Sequence, residues 1–426
     1  MTPRFIVVLL LTILVSSFGC AEERPPIDKV QAGAMPKSFF VGNIEDTSDD
    51  PEFYFRTTVV DVASGAGSES LFTSSDAQTL VRVRFEITET ELLARLSYEL
   101  IQDTDYKGAK RTTNGQVVAA YAIQKHFDIR RDYNPQTGEE YNVVVENDTD
   151  RPWYQREYMR VDWSKNLITD AYDLDTVSEI GISDGIKFDP ISYYVSDPSS
   201  PDAPVFDASA GYFDVTNKAF ASPQLIDDPD YGPTPACEYV GAYPSTSCDP
   251  SEVTLRQSFM KVVDHDYEAL DYDGTRMDVF GFFSDDRYGY DRHYGVVDDK
   301  WHRFAARWNI WNQSHATPMV ECNTADTTPV GLSPHRDDDA NGTEDECESV
   351  GRGSKCDEFR GECTIPLRDR TVKTTAWYVS AGFPEELFAG TSQALDGWSE
   401  AIRVAIAAGR LAECRRTNDS DCEASV

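Results

Sequence analysis

Positive charge is what this chain has least of: 39 lysines and arginines face 74 aspartates and glutamates, a formal net charge of −35. Such a surface repels phosphates and anionic lipid headgroups, which excludes nucleic acid as a partner and electrostatic docking on a membrane. Histidine is scarce, with six in 426 residues, and HExxH is absent, so no helix carries a peptidase-type zinc site. P-loop and Rossmann glycine patterns are missing, as are CxxC and zinc-ribbon spacings. Beyond the first twenty residues no stretch is long and apolar enough for a transmembrane helix. Apolar residues themselves are plentiful. At 40% hydrophobic and 12% aromatic, the chain has enough for two or three domains with sizeable cores and is not a disordered polymer.

The N-terminus reads as a targeting segment. Arg4 supplies the positive end, and Phe5 to Val15 is an apolar run too short to span a bilayer. Ser16-Ser17-Phe18-Gly19-Cys20 follows and resembles the lipobox of bacterial lipoproteins, although Ser17 stands where leucine is commoner. The resemblance implies lipidation of Cys20, anchoring in the cell envelope and, with Ala21 next, the outer membrane. An ordinary signal peptide cleaved nearby is the simpler alternative. The polar stretch 21–37, with its proline pair, reads as a tether.

From Ser38 onward the pattern is mostly period two. Leu80–Thr88 alternates Val81, Val83, Phe85 and Ile87 with charged residues, and Leu92–Leu100 repeats the pattern after a short turn, predicting a β-hairpin. Val117–Gln124, Tyr141–Asn147 and Tyr158–Ser164 continue the series. Residues 185–255, rich in Pro, Asp and Ser, read as long loops over this scaffold. Strands resume at Val253–Asp264 and Arg276–Asp286, Lys300–Trp311 reads as a strand with a short helix as the alternative, and Val372–Ser380 reads as a core strand. A helix follows, with Pro384 in its first turn and Phe388, Leu395, Trp398, Ile402 and Ile406 at helical spacing. The fold class is therefore mainly β, with an α/β ending.

The sharpest local motif is HRDDDANGTEDECES, His335 to Ser349, which fits D-x-D-x-N-G-x5-E. Calcium is a hard ion that takes six to eight oxygens, and alternating carboxylates on a tight glycine turn supply them. The candidate ligands are Asp337, Asp339, Asn341, the Thr343 carbonyl, Asp345 through water, and Glu348. Pro334 before the loop and Gly351 and Gly353 after it rule out the paired long helices of an EF-hand. The spelling through Cys347 looks more like the calcium loops of thrombospondin type 3 repeats. The role expected is structural; the plainer alternative is a solvated acidic turn.

Setting Cys20 aside leaves eight cysteines, an even number that reads as disulfides in an exported chain. Local pairing is expected for Cys237 with Cys248 and for Cys414 with Cys422; Cys322, Cys347, Cys356 and Cys363 then pair among themselves. His293 and His302, near Asp298 and Asp299, form a further metal candidate, and Tyr288, Tyr290, Tyr294 and Trp301 a sugar-stacking one. Such residues serve structure in most proteins.

Four stretches together resemble one family: His126–Ile168, Gly211–Phe220, Tyr294–Trp311 and Ile365–Ile402. They are similar to the N-terminal region of large bacterial lipoproteins that are zinc-dependent metalloproteases of the metzincin type. The resemblance runs from about Phe39 to about Leu411. It implies that the last strand and helix open a peptidase domain whose HExxHxxGxxH segment, with its zinc ligands and general base, lies elsewhere. No position here matches a catalytic residue, so none is carried over. The implied organisation is a signal segment at 1–20, the tether at 21–37, a β-rich region at 38–320, a cysteine-rich calcium-loop insert at 321–366 and an incomplete metzincin-like opening at 367–426. The implied partners are the membrane, through the lipid anchor, and a peptidase half or peptide substrate. The rival reading is a non-enzymatic cell-surface binding lipoprotein.

Overall fold

The computed structural model describes residues 24–43, 50–63, 76–99, 111–112, 115–169, 172, 174, 186–223, 225–235, 250–263, 266–272, 274–291, 295–322, 337–357, 360–379, 383–418 and 422. Arg4, Cys20, Cys237, Cys248, His265, His293, Tyr294 and His335 lie outside them. The chain divides into two units, one of residues 1–97 and 113–261, the other of 98–112 and 262–426. The stretch 38–320 expected as one β-rich region thus falls on both sides of this division.

The first unit is a twelve-stranded sheet. Its early strands are β1 (Ile27–Asp28), β2 (Ala34–Pro36), β3 (Glu52–Val62), β4 (Val81–Ile87) and β5 (Glu91–Leu96), with helix α1 (Lys37–Val41) between β2 and β3. A small pair, β6 (Tyr98–Glu99) and β7 (Arg111–Thr112), belongs to the other unit. The sheet continues with β8 (Val117–Tyr133), β9 (Glu140–Asn147), β10 (Tyr158–Asp162), β11 (Ile186–Ile191), β12 (Val205–Asp207) and β13 (Tyr212–Pro223). After a hairpin of β14 (Leu225–Asp228) and β15 (Gly232–Pro235) it ends with β16 (Ser251–Lys261). The spatial order is β1-β9-β8-β5-β4-β3-β16-β13-β11; β10 joins β8 to β2, and β12 pairs with β13. All these ladders are antiparallel except β1 with β9, which makes the sheet mixed.

The expected strands between Leu80 and Ser164 are present, except that the one expected over Leu92–Leu100 ends at Leu96, and β8 runs nine residues past its expected end at Gln124, to Tyr133. Residues 185–255 depart from the expected loops, since β13 is a central strand there, whereas β16 is the strand expected from Val253. The reason is visible in β13, where buried Asn217 takes one place in the inward row of Phe213, Val215, Ala219 and Ala221. Buried polar residues erase the period that marks a strand in sequence.

The sheet's inner face carries an aromatic cluster. Phe259 stacks between Phe213 and Phe55, at ring distances of 4.5 and 4.7 Å, and Phe85 meets Phe53 edge-on at 5.1 Å. Helix α1 inserts Phe39 and Phe40 into the same cluster. Offset and edge-on aromatic contacts add to what burial alone contributes. A second cluster gathers Val59, Leu174, Ile186, Phe188, Ala219, Val253 and Leu255.

The second unit has helix α2 (Gly274–Val279), the hairpin β17 (Ser284–Asp291) with β18 (Gly295–Ala305), the small hairpin β19 (Cys356–Asp357) with β20 (Glu362–Cys363), and helix α3 (Glu385–Arg416). The strand expected over Arg276–Asp286 begins only at Ser284, because Gly274 opens a helical turn through Val279. In the expected core strand Val372–Ser380, whose last residue lies outside the described ones, the described residues form one bridge, Val372 with Trp311, and Trp377 and Tyr378 are 56% and 89% exposed. Thr374 and Thr375 interrupt the apolar run there. Helix α3 forms as its spacing predicts, but Pro384 sits at its N-cap and it runs 32 residues.

Candidate functional site

The cysteine-rich insert is stapled twice. Cys322 bonds Cys356, Cys347 bonds Cys363, and Cys414 bonds Cys422 beyond helix α3. All three agree with the expected pairing scheme. Cys356 and Cys363 are also cross-strand neighbours, so the two bridges fix the β19–β20 hairpin to the segments carrying Cys322 and Cys347.

Between these staples lies the acidic loop. Asp337 accepts the Asn341 and Gly342 backbone N–H groups at 2.9 and 2.8 Å. Asp339 accepts the Asn341 N–H at 3.1 Å and its side-chain amide at 2.9 Å. Asn341 Oδ1 accepts the Thr343 N–H at 2.8 Å, and Asp345 accepts the Asp338 N–H at 3.0 Å. Gly342 turns the chain at φ 84°, and Ala340 precedes it at φ 56°. Asp337, Asp339, Asn341 and Asp345 are thus brought onto one turn. Thr343 is buried with its hydroxyl accepting the Gly353 N–H, and Glu348 lies just beyond the short 3-10 turn Asp345–Cys347.

The donors are all oxygens, the type calcium prefers, and the positive-φ glycine fits such a loop. In donor chemistry the loop suits calcium. Among the described residues, the one set of three His, Cys, Asp or Glu ligand atoms within 4.8 Å of one another is Cys322, Cys347 and Cys363. Their sulfurs are committed to disulfides, so that set is unsuited to zinc.

Helix α3 ends on this loop. Arg416 donates to the carbonyls of Gly342 and, at 2.8 Å, Gly353. A Cβ on Gly342 would stand 2.7 Å from the Arg416 carbonyl oxygen, and one on Gly353 would meet the Glu413 carboxylate at a similar distance. Glu413 in turn accepts the Leu367 and Arg368 N–H groups at 3.0 and 3.3 Å. One turn back, Arg410 donates to the Leu367 and Arg370 carbonyls. Arg370 pairs with Glu268 at 2.6 Å, and both arginines lie over the Trp311 ring. Sequence reading missed Arg410, Glu413 and Arg416; the one available signal was a polar ending, ECRR, on an otherwise apolar-striped helix.

It also missed His315. Its buried ring lies between two carboxylates: Nδ1 faces Asp266, and Nε2 faces Asp357 at 2.8 Å. Asp266 further accepts the Ser314 and His315 N–H groups. Burial disfavours the charged ring, but the two carboxylates outweigh it and raise its pKa. Asp266 is likewise opposed by burial, yet its bonds to His315 and Ser314 hold its pKa down. When protonated, the ring donates from both nitrogens to these carboxylates and has no lone pair for general-base work. This is a structural ion cluster.

The mid-portion of helix α3 is only partly covered. Leu395, Trp398, Ile402 and Ile406 line a groove of about 280 Å³ with Trp308, Ile310 and Trp377, and Lys373 and Arg403 at its sides. Trp398 is 61% exposed, and Leu387, Phe388 and Val404 are exposed beside it. In the stripe read from the sequence, Phe388 and Trp398 are exposed, while Leu395, Ile402 and Ile406 are half-buried.

Tyr288, Tyr290, Trp301 and His302 stand in the β17–β18 hairpin, with Tyr288 opposite Trp301 in register. The placement of their side chains, and of Asp298 and Asp299, is outside what is described. The stretch GISDG, Gly181 to Gly185, has the spelling of a serine elbow and also lies outside the described residues. No family model matches this chain, and no curated protein or solved structure matches it.

Proposed function

We propose that this chain is the exported, lipid-anchored and non-catalytic front part of a metzincin-type zinc metalloprotease. The observation that carries the reading is the partly covered apolar face of helix α3. A stripe of Leu395, Trp398, Ile402 and Ile406 beside two further exposed tryptophans, Trp308 and Trp377, is more apolar surface than a soluble helix ordinarily leaves in water. On this reading the face packs against the remainder of a peptidase domain, carried by the same polypeptide or by a separate chain. That remainder brings the zinc ligands and the general base. The described residues here offer no zinc set, and no catalytic step is assigned to them.

The acidic loop then acts as a structural calcium site, with Asp337, Asp339, Asn341, the Thr343 carbonyl, Asp345 and Glu348 as its ligands. It steadies the insert on which the end of helix α3 rests. Cys20 carries the lipid, and the outer membrane is the location.

The test is to read the coding DNA on both sides of this segment and assay its products. An adjoining frame encoding HExxHxxGxxH, whose joint product cleaves protein in a chelator-sensitive way while this chain alone does not, supports the reading. Unrelated flanking sequence, with ligand-specific binding by this chain alone, gives the function to a cell-surface binding lipoprotein. Zinc-dependent cleavage by this chain alone overturns the non-catalytic assignment.

A further inference from the structure

The inner face of the first unit's sheet is not uniformly apolar. Along β3 it reads Phe53, Phe55, Thr57, Val59, and along β16 it reads Phe259, Gln257, Leu255, Val253, all buried. Thr57 stands opposite Gln257, one row from the Phe55–Phe259 pair, and Asn217 on β13 stands opposite Leu255 in the next row. A polar belt therefore separates the aromatic cluster from the aliphatic one. Tyr172 and Asn166 reach it from the segment after β10: Asn166 Nδ2 and Gln257 Nε2 both point at the Tyr172 hydroxyl, at 3.0 and 3.1 Å.

The hydrogen-bond account of this belt does not close. Asn217 Nδ2 donates to the Trp163 and Thr216 carbonyls, which fixes the amide's orientation and leaves its Oδ1 without a donor. Asn166 Oδ1 accepts the Ala120 and Ile168 N–H groups, so its Nδ2 is a fixed donor to Tyr172. As drawn, Gln257 Oε1 has no donor and the Tyr172 proton no acceptor. Turning the Gln257 amide over lets Tyr172 donate to Oε1 but strands the amide's N–H groups instead. Thr57 Oγ1 and the Tyr121 hydroxyl, both fully buried, also lack partners. Buried polar atoms are almost always paired, and orphans concentrated on one interior belt need a common partner.

We propose that this belt holds bound water, with at least one molecule joining the side-chain oxygens of Gln257 and Asn217 and accepting the Tyr172 hydroxyl proton. Water meets the mixed demand, because it donates to two carbonyl oxygens and accepts from a hydroxyl at once. A cation fits worse. The belt's groups are neutral, and among the described residues no carboxylate shares their rows on the inner face to offset the cost of stripping an ion of its hydration. An apolar guest leaves every orphan unpaired.

The test is a crystal structure of the full chain, with oxygen-17 relaxation dispersion in solution as a second readout. The expected result is a water peak within hydrogen-bond distance of both Gln257 Oε1 and Asn217 Oδ1, together with long-lived internal water. Gln257→Leu, close in size but with no polar atom, should lose that peak and part of the dispersion signal. If this variant does not fold, the wild-type density decides alone. The inference is overturned if Gln257 and Asn217 are satisfied by protein groups with no peak between them. Density too large for water, or coordinated as an ion, overturns it equally.

Discussion

Gly342 is the residue at which the acidic loop and helix α3 meet most closely. Its φ of 84° suits only glycine comfortably, and a Cβ would collide with the Arg416 backbone at 2.7 Å. Gly342→Ala combines strain with a clash against atoms that cannot swing away, and a loss of roughly 1–3 kcal/mol is expected. Chemical denaturation checks it, and an unchanged midpoint would mean that the helix end does not rest on the loop. His315 gives a pH prediction. Its folded pKa lies above the ordinary 6.5, so its contribution is full below about pH 6.5 and is lost as pH rises through the folded value. Asp266, held below its ordinary 3.8, contributes fully above that pH and loses its contribution as pH falls through the depressed value. Melting temperature should therefore form a plateau between these limits. His315→Gln should remove the alkaline shoulder and lower stability by roughly 3–5 kcal/mol, the cost of breaking a buried charge cluster. A variant that keeps the shoulder would assign it to another group.

At the scale of the element, the loop and the helix are coupled through carbonyls rather than through the carboxylates themselves. Arg416 grips Gly342 and Gly353, so an ion that orders the loop also orders the seat of helix α3. Calcium should raise the melting temperature and slow amide exchange over residues 405–418. Asp337→Ala with Asp339→Ala should abolish both effects, and absence of a calcium response in the unaltered chain would remove the ion from this account. Periodicity is what made elements legible here. Strands β4, β5, β9 and β10 and helix α3 declare themselves by period, and the paired cysteines by count and spacing. β13 does not, because Asn217 breaks its apolar row. The Val372–Ser380 segment misleads for the opposite reason, since its apolar residues find no ladder. His315, Asp266 and Asp357 are far apart in sequence and become a cluster only when the fold brings them together. No local pattern foretells that.

Across the whole molecule, the two units hold themselves together by different means. The first relies on a continuous sheet and an aromatic core. Among its described residues, the second has a buried cluster built on Cys347, Cys356 and Cys363, held with disulfides, arginines on carbonyls and the His315 carboxylates. Covalent closure should matter correspondingly more there. The Cys322–Cys356 bridge closes 34 residues, and removing a bridge of that span costs about 3–4 kcal/mol on the chain-entropy account. Replacing both cysteines by serine should lower one calorimetric transition, that of the second unit, and leave the sheet's transition in place. Equal loss in both would show that they unfold as one. The same comparison bears on the proposed function. If a peptidase remainder covers the apolar face of helix α3, adding it should raise the second unit's transition selectively. Trp398→Asp, in the middle of the groove, should cost the isolated chain less than about 0.5 kcal/mol, as exposed substitutions do. It should nevertheless cancel that rise. A rise that survives Trp398→Asp would place the partner elsewhere on the chain.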